Sequence, residues 1–189
     1  LSRHFLAYEG PGVETVRALG FWLRPAGLQA LLARYPQARQ GIGRIFHVPP
    51  SNVPTLLVYS WLTSVLAGND NLVRLSAARS SPLEDTLLGL IEAVLNAPEH
   101  AGLGARNRFI RYGHEDAITR ACVAQADAVM VWGSDQTVAQ LRELTLAAGR
   151  VRVTTPLFLG FPARHSLLVV DGDALRGSAG DDLEARLLE

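Results

Sequence analysis

The stretch Gly43–Ser76, GRIFHVPPSNVPTLLVYSWLTSVLAGNDNLVRLS, decides the fold. It reads as a strand, a proline-rich turn, a buried helix, a glycine-closed turn and a second strand. In the turn Val48-Pro49-Pro50-Ser51-Asn52-Val53-Pro54, prolines surround a single asparagine and stiffen the backbone where strand hands over to helix. A rigid, polar-tipped turn at the carboxyl end of a buried strand is where open α/β sheets keep their ligands.

Outward from this stretch the alternation continues. The pattern predicts strands at Arg44–Val48, Asn71–Leu75, Arg108–Tyr112, Ala128–Trp132, Arg150–Thr154 and Ser166–Val170. Helices fit between most of them, at Thr55–Leu66, Leu83–Asn96, Glu115–Gln125 and Asp135–Ala148. Ser81-Pro82-Leu83-Glu84 is a capping box with proline at the first helical position, and Gly68 closes the helix before the second strand. Strands such as VMVW and LLVV are apolar on both faces, as a sheet covered on both sides requires. The expected architecture is therefore α/β: a Rossmann-like, mostly parallel, right-handed sheet with helices on both faces. Residues 1–40 form a helical preface, with helices at Gly12–Leu19 and Ala26–Arg34 separated at Pro25. Leu28, Leu31, Leu32 and Tyr35 give it one apolar face, to be packed on something downstream or on a domain outside this chain. Residues 41–175 make the ligand-binding domain, and 176–189, with Gly177, Gly180 and two Asp, read as a linker entering another helix.

Composition narrows the function. The chain is 48% hydrophobic and 19% charged, ordinary globular material. Its 18 basic and 18 acidic side chains balance, so no global field favours nucleic acid or an anionic membrane. All the basic residues are arginine, which excludes a Schiff-base lysine and a P-loop lysine. With Cys122 as the one cysteine, neither a disulfide framework nor a cysteine-based zinc site can form, which fits a reducing cytoplasm. The most apolar run, Val53–Ala67, is shorter than the ~20 residues of a membrane span. The five histidines show no ligand spacing, so no metal site is expected; His114 beside Gly113 approaches a ligand or simply faces solvent.

Four turns leave the carboxyl ends of strands: the Asn52 turn, Arg74-Leu75-Ser76, Gly113-His114 and Gly133-Ser134-Asp135. In a parallel sheet all four share one edge. The Gly133 and Ser134 amides and the Ser134 hydroxyl would face an anion at a helix N-terminus, or Ser134 is simply an N-cap. There is no GxGxxG fingerprint. Cys122 lies on a helical face in ITRACVAQA and reads as core packing, as do Trp61 and Trp132.

The series VPPSNVP, a helix ending LAGN, a strand ending NLVRLS and, later, WGSDQTV resembles the aldehyde dehydrogenase superfamily, and within it the acyl-CoA reductases of the luminescence fatty-acid reductase type. The likeness covers about residues 41–172. It implies a nicotinamide cofactor lying across the strand edge against a separate catalytic domain, whose cysteine would be the nucleophile this chain lacks. Asn52 then matches the asparagine whose amide helps form an oxyanion hole; the alternative is that Asn52 caps the helix beginning near Thr55. Arg74 stands where the family has a lysine holding the adenosine ribose, and Ser76 follows as in the family. Pro50, Ser51, Gly113, Gly133, Ser134 and Gly160 complete the expected cofactor contacts.

Two departures refine the expectation. Ala77 replaces a glutamate common in NAD-preferring members; a carboxylate about 5 Å from a 2′-phosphate would repel it by about 3 kcal/mol at an effective dielectric of ~20. With that repeller missing and Arg74 at hand, and Arg79 either beside the phosphate or solvated, NADPH is expected to be favoured, with NADH second. Phe158 and Phe161 replace the glutamate and second glycine of the hydrolytic Glu-Leu-Gly-Gly segment. A phenyl ring cannot act as a general base, so the thioester would be reduced or exchanged, not hydrolysed. The implied substrate is acyl-CoA or another acyl thioester. A different reading is a stand-alone or degenerate nucleotide-binding module with no catalysis. Faces left for a missing domain also permit a homo-oligomer.

Overall fold

Five strands form one sheet in which every pairing is parallel, in the order β3-β2-β1-β4-β5. They are β1 (Arg44–Val48), β2 (Asp70–Ser76), β3 (Asn107–Tyr112), β4 (Ala128–Trp132) and β5 (Leu157–Phe161). The computed structural model describes residues 1–37, 40–78, 81–113, 115–149 and 154–163. The helices are α1 (Ser2–Leu6), α2 (Val13–Trp22), α3 (Pro25–Ala33), α4 (Pro54–Leu66), α5 (Pro82–Leu95), α6 (Ala101–Ala105), α7 (Asp116–Gln125) and α8 (Asp135–Gly149). The chain fills the sheet outward from β1 in one direction through β2 and β3, then returns to β1's other side with β4. The switch point therefore lies between β1 and β4.

Alternation along the strands sorts side chains to two faces. Val73, Leu75 and Phe109 point to one face and pack with Leu57, Val58 and Trp61 of α4 and Leu87, Ile91 and Leu95 of α5. Phe5, Val16 and Leu23 from the N-terminal helices join this same core. Phe46, Val48, Val129 and Val131 point to the other face, against Cys122 and Val123 of α7 and Leu141 of α8. Fully burying a side chain of this size is worth roughly 1.5–3 kcal/mol, so both faces are firmly covered.

Local signals act as read. Ser81 Oγ accepts from Glu84 N at 3.1 Å, but the Glu84 carboxylate turns to Arg111 (3.0 Å) and leaves the box half closed. Gly68 ends α4 at φ +87°, and Pro25 restarts the helix as α3. Gly43 adopts φ +131° where a side chain would meet the Asp127 carboxylate. The apolar face of α3 lies beside α4 but stays largely open: none of the helix's residues is buried.

One strand needs correcting. Leu157–Phe161, absent from the strands expected from sequence, is β5: it pairs with β4 from Ala128↔Leu157 to Trp132↔Phe161, with Leu157 N donating to Asp127 O. Thr154, the described part of the strand expected at Arg150–Thr154, lies in a bend. The remainder of that strand, Ser166–Val170 and the segment 176–189 fall outside the described residues.

A polar chain crosses the sheet under α4. Met130 Sδ meets Ser60 Oγ (3.0 Å), Ser60 Oγ meets His47 Nδ1 (3.0 Å), and His47 Nε2 meets Asn71 Oδ1 (2.9 Å). Asn71 Nδ2 donates to Asn107 Oδ1 (2.9 Å), which also accepts from Trp61 Nε1 (2.7 Å). The end of this chain fixes the rest. Indole N–H can only donate, so Asn107 presents oxygen; Asn71 therefore presents its amide nitrogen to Asn107 and its oxygen to His47. His47 is thus the Nε2–H tautomer, accepting from Ser60 at Nδ1. Burial pushes its pKa down to about 4, the Asn71 bond opposing.

Candidate functional site

The carboxyl ends of β1, β2 and β4 surround a cleft of about 450 Å³ at the switch point. Its walls bring together Pro50, Ser51, Asn52, Arg74, Ser76, Gly133 and Ser134, seven of the residues singled out from sequence. A groove of about 510 Å³ between α7 and α8 adjoins it through Val48, Arg74 and Thr137 and includes Gly113. Each volume lies in the range of small-molecule sites.

The Asn52 turn joins β1 to α4, whose N-cap is Val53 with no side-chain cap bond. Asn52 therefore does not cap the helix. Its side chain is exposed at the cleft, and among the described residues it makes no hydrogen bond.

Arg74 leaves β2 towards the α7 face and spans both cavities. Its Nη2 donates to Gly113 O (2.5 Å), and its guanidinium lies 4.9 Å from the Tyr112 ring centroid. Its Nε is buried without an acceptor among the described residues. Beyond Ser76, Ala77 N donates to Tyr112 O, and Arg111 ties Ser76 O (3.1 Å) to Glu84 and Asp85 at the start of α5. Burial pushes the Glu84 carboxyl up, the Arg111 charge opposing. Arg79 and His114 lie outside the described residues.

The Gly133-Ser134 turn corrects part of the anion reading. Gly133 N is used by the sheet, donating to Phe161 O at 3.2 Å. Ser134 Oγ accepts from Thr137 N (3.3 Å) and meets the Thr137 hydroxyl (3.0 Å), the pattern of an N-cap. Both residues remain in the cleft wall. Gly160 sits elsewhere, in β5 opposite Val131; a side chain there would come within 2.8 Å of Val138 Cγ1 and the Phe158 ring. Phe158 pairs with Val129 and packs into the core beneath α7 and α8.

Trp132 also departs from its expected core role. It lines the cleft, stacked on Phe161 with centroids 3.9 Å apart and planes 10° apart, and its buried Nε1 has no acceptor among the described residues. Register explains the move: as the last residue of β4 it extends past the helices that bury Val129 and Val131. Thr137 was missed altogether, though its position three residues after the cap serine marks it as facing the same turn. Trp61 is core, as expected. Cys122 is buried in α7, and burial pushes its thiol pKa up. Among the described residues no cluster of metal ligands occurs, and no helix is long and apolar enough to cross a membrane.

Fold and cleft together define a doubly wound α/β domain with a cleft at the switch point, where such sheets keep their ligands. The sequence model of the acyl-CoA reductase (LuxC) family matches residues 18–186, and the chain belongs to that family. The resemblance drawn from VPPSNVP, NLVRLS and WGSDQTV is thereby met. No curated protein sequence matches the chain significantly. Solved structures with a similar fold include a Mycobacterium tuberculosis aldehyde dehydrogenase complexed with NAD+ (18% identity, TM-score 0.47, covering 59% of this chain and 22% of that one). Another is Staphylococcus aureus AldH in a substrate-bound state (17% identity, TM-score 0.42, covering 58% and 22%). The chain thus spans about a fifth of the length of these enzymes.

Proposed function

We propose that this chain is the cofactor-binding portion of an acyl thioester reductase that takes NADPH in preference to NADH and releases a fatty aldehyde. Residues 41–175 bind the cofactor behind the helical segment 1–40, and 176–189 lead towards a catalytic domain carrying the nucleophilic cysteine. One observation carries the reading: in a chain of the acyl-CoA reductase family, residues from three strand ends converge on one cleft at the switch point, and the fourth, at Gly113, lines the groove that adjoins it.

The cleft fits a nicotinamide dinucleotide. Arg74 Nε and Trp132 Nε1 are buried donors without acceptors among the described residues, each a cost of ~1–3 kcal/mol that an acceptor-rich ligand would relieve. The adjoining groove gives such a ligand a second compartment. Arg74 and Ser76 hold the adenosine side, with Pro50, Ser51, Gly113 and the Gly133-Ser134 turn in contact along the ligand. When bound, the cofactor supplies the hydride.

At the other end of the cleft Asn52 donates its amide to the thioester carbonyl as negative charge develops on oxygen, a contribution of about 3 kcal/mol for one such donor. Its free amide and its stiff, proline-flanked turn suit that task. Cys122, buried and with its thiol pKa raised, does not serve as the nucleophile. Phe158 supplies no base to a water, so the thioester survives until it is reduced. A thermal-shift titration tests the reading: NADPH at about 100 times its dissociation constant should stabilise the chain by ~2.7 kcal/mol. No shift with either NADPH or NADH would sink it, and equal dissociation constants for the two would overturn the cofactor preference alone.

A further inference from the structure

The carboxyl ends of β4 and β5 carry an aromatic pair that neither core uses. Along β4, Val129 and Val131 pack against α7 and α8, so Met130 and Trp132 turn to the opposite face, where Met130 meets Ser60 of α4. Trp132 stands opposite Phe161 in the ladder, and their rings stack with centroids 3.9 Å apart and planes 10° apart. The apolar core on that face is built on Val73 and Leu75 of β2 and Phe109 of β3. Among the described residues, Trp132 and Phe161 belong to neither core. A stacked aromatic pair outside the cores and at the edge of a cleft has the character of a ligand wall.

Hydrogen bonding sharpens this reading. An indole N–H can only donate, and the fold gives Trp61 Nε1 an acceptor in Asn107 Oδ1 at 2.7 Å. Trp132 Nε1 is closed to water and has no acceptor among the described residues. Buried donors are ordinarily paired, so the partner of this one is to be sought in what the cleft binds.

Position says which part of a dinucleotide that is. Trp132 lines the cleft with Asn52, Gly133 and Ser134, and is not among the residues of the adjoining groove that Gly113 and Thr119 line. Arg74, assigned to the adenosine side, spans both. The aromatic wall therefore belongs to the Asn52 end of the cleft. A nicotinamide brings to that end a flat ring to rest on the pair and a carboxamide oxygen to accept the N–H. A thioester brings an acceptor but no ring.

We propose that Trp132, backed by Phe161, holds the nicotinamide half of the cofactor, its indole forming the wall on which the ring rests and its Nε1 donating to the carboxamide oxygen. The proposal rests on the cofactor reading above and adds to it the residue that orients the reacting ring.

The test follows the indole N–H itself. With its indole nitrogens isotopically labelled, the chain gives three N–H signals in a nitrogen-correlated proton spectrum, from Trp22, Trp61 and Trp132, assigned by single Trp→Phe variants. NADPH and reduced nicotinamide mononucleotide should shift the Trp132 signal and leave that of Trp61, already bonded to Asn107, in place. Adenosine 2′,5′-bisphosphate, which carries only the other half of the cofactor, should bind without moving Trp132. Trp132→Phe keeps the stack and loses the donor, and should weaken NADPH about tenfold, the net worth of one hydrogen bond. Unchanged affinity of that variant for the bisphosphate establishes that it is folded, and the wild-type spectra decide the matter should it not be. NADPH binding that leaves the Trp132 signal unmoved, or undiminished NADPH affinity in folded Trp132→Phe, would overturn the proposal and leave the cofactor reading standing. A Trp132 signal moved by the bisphosphate would place adenosine at the wall and overturn it too. So would a signal moved by S-hexanoyl-N-acetylcysteamine and not by NADPH, which would give the wall to the thioester. Binding of neither NADPH nor the bisphosphate would remove both readings.

Discussion

Acidifying the protein should expose the cost of keeping His47 neutral. Its imidazole is fully buried between Ser60 and Asn71, and burial holds its folded pKa at about 4 against an ordinary 6.5. Between these values the unfolded chain binds a proton that the folded chain refuses, so stability is fully present above pH 6.5 and drains away as pH falls towards 4. A gap of about 2.5 units corresponds to roughly 3 kcal/mol, a large part of the 5–15 kcal/mol that holds a typical domain together. Glu84, whose pKa burial raises, acts in the opposite sense, losing stability as pH rises through the carboxylate range. A comparison of variants removes it. His47→Gln keeps a donor for Asn71 and an acceptor for Ser60 but cannot titrate. Urea unfolding followed by tryptophan emission at pH 7 and pH 4 should show the wild type losing about 3 kcal/mol more than the variant over that interval. Parallel losses in the two proteins would refute the argument and mean that the folded state accepts the proton. An internal route to that is for Ser60 to turn its hydroxyl from His47 to Met130 Sδ, already 3.0 Å away, and accept from a protonated Nδ1.

Two further substitutions probe the sheet edge. Gly160→Ala, which in an open strand would be neutral or mildly stabilising, should cost about 1–3 kcal/mol in urea midpoints, because its methyl would sit 2.8 Å from both Val138 Cγ1 and the Phe158 ring. Arg74→Gln should weaken NADPH more than about tenfold by removing a charge-assisted contact while the melting temperature of the ligand-free chain changes little; equal loss of both would reduce Arg74 to a structural role through Gly113.

Much of the fold was legible because local and global signals agree. The apolar runs at β1 to β4 are bounded by Gly, Pro and capping residues, and the parallel order follows from the strand–helix alternation. β5 was not, because LFLGF shows neither alternation nor β-branched residues, and its pairing with β4 is a long-range fact. The four strand-end turns were legible as a group, since a parallel sheet leaves them no other edge to share. What each residue does within the cleft was less so. Ser134 and Gly133 have the same identities whether they hold an anion or close a helix and a ladder, and only their partners Thr137 and Phe161 decide it. Trp132 was hidden because a strand's last residue shares the apolar character of the ones before it but not their cover.

The Asn52 turn is positioned by its ends. Among the described residues its amide is unbonded and the helix it precedes has no side-chain cap, so nothing within the turn itself fixes the side chain. β1 is gripped from both faces: Phe46 and Val48 pack towards α7 and α8, while His47 between them is bonded to Ser60 of α4 and to β2. α4 is held in turn by Leu57, Val58 and Trp61, the last tied to Asn107 of β3. The His47–Ser60 bond therefore bridges the two elements that the turn connects, and the prolines leave the intervening residues little freedom. An amide with fixed anchors and no partner of its own costs no broken bond when it donates to a ligand. This is how a donor is kept preorganised and still available. If Asn52 has the role proposed for it, the polar chain under α4, which among the described residues has no counterpart in the opposite core, serves to hold its turn.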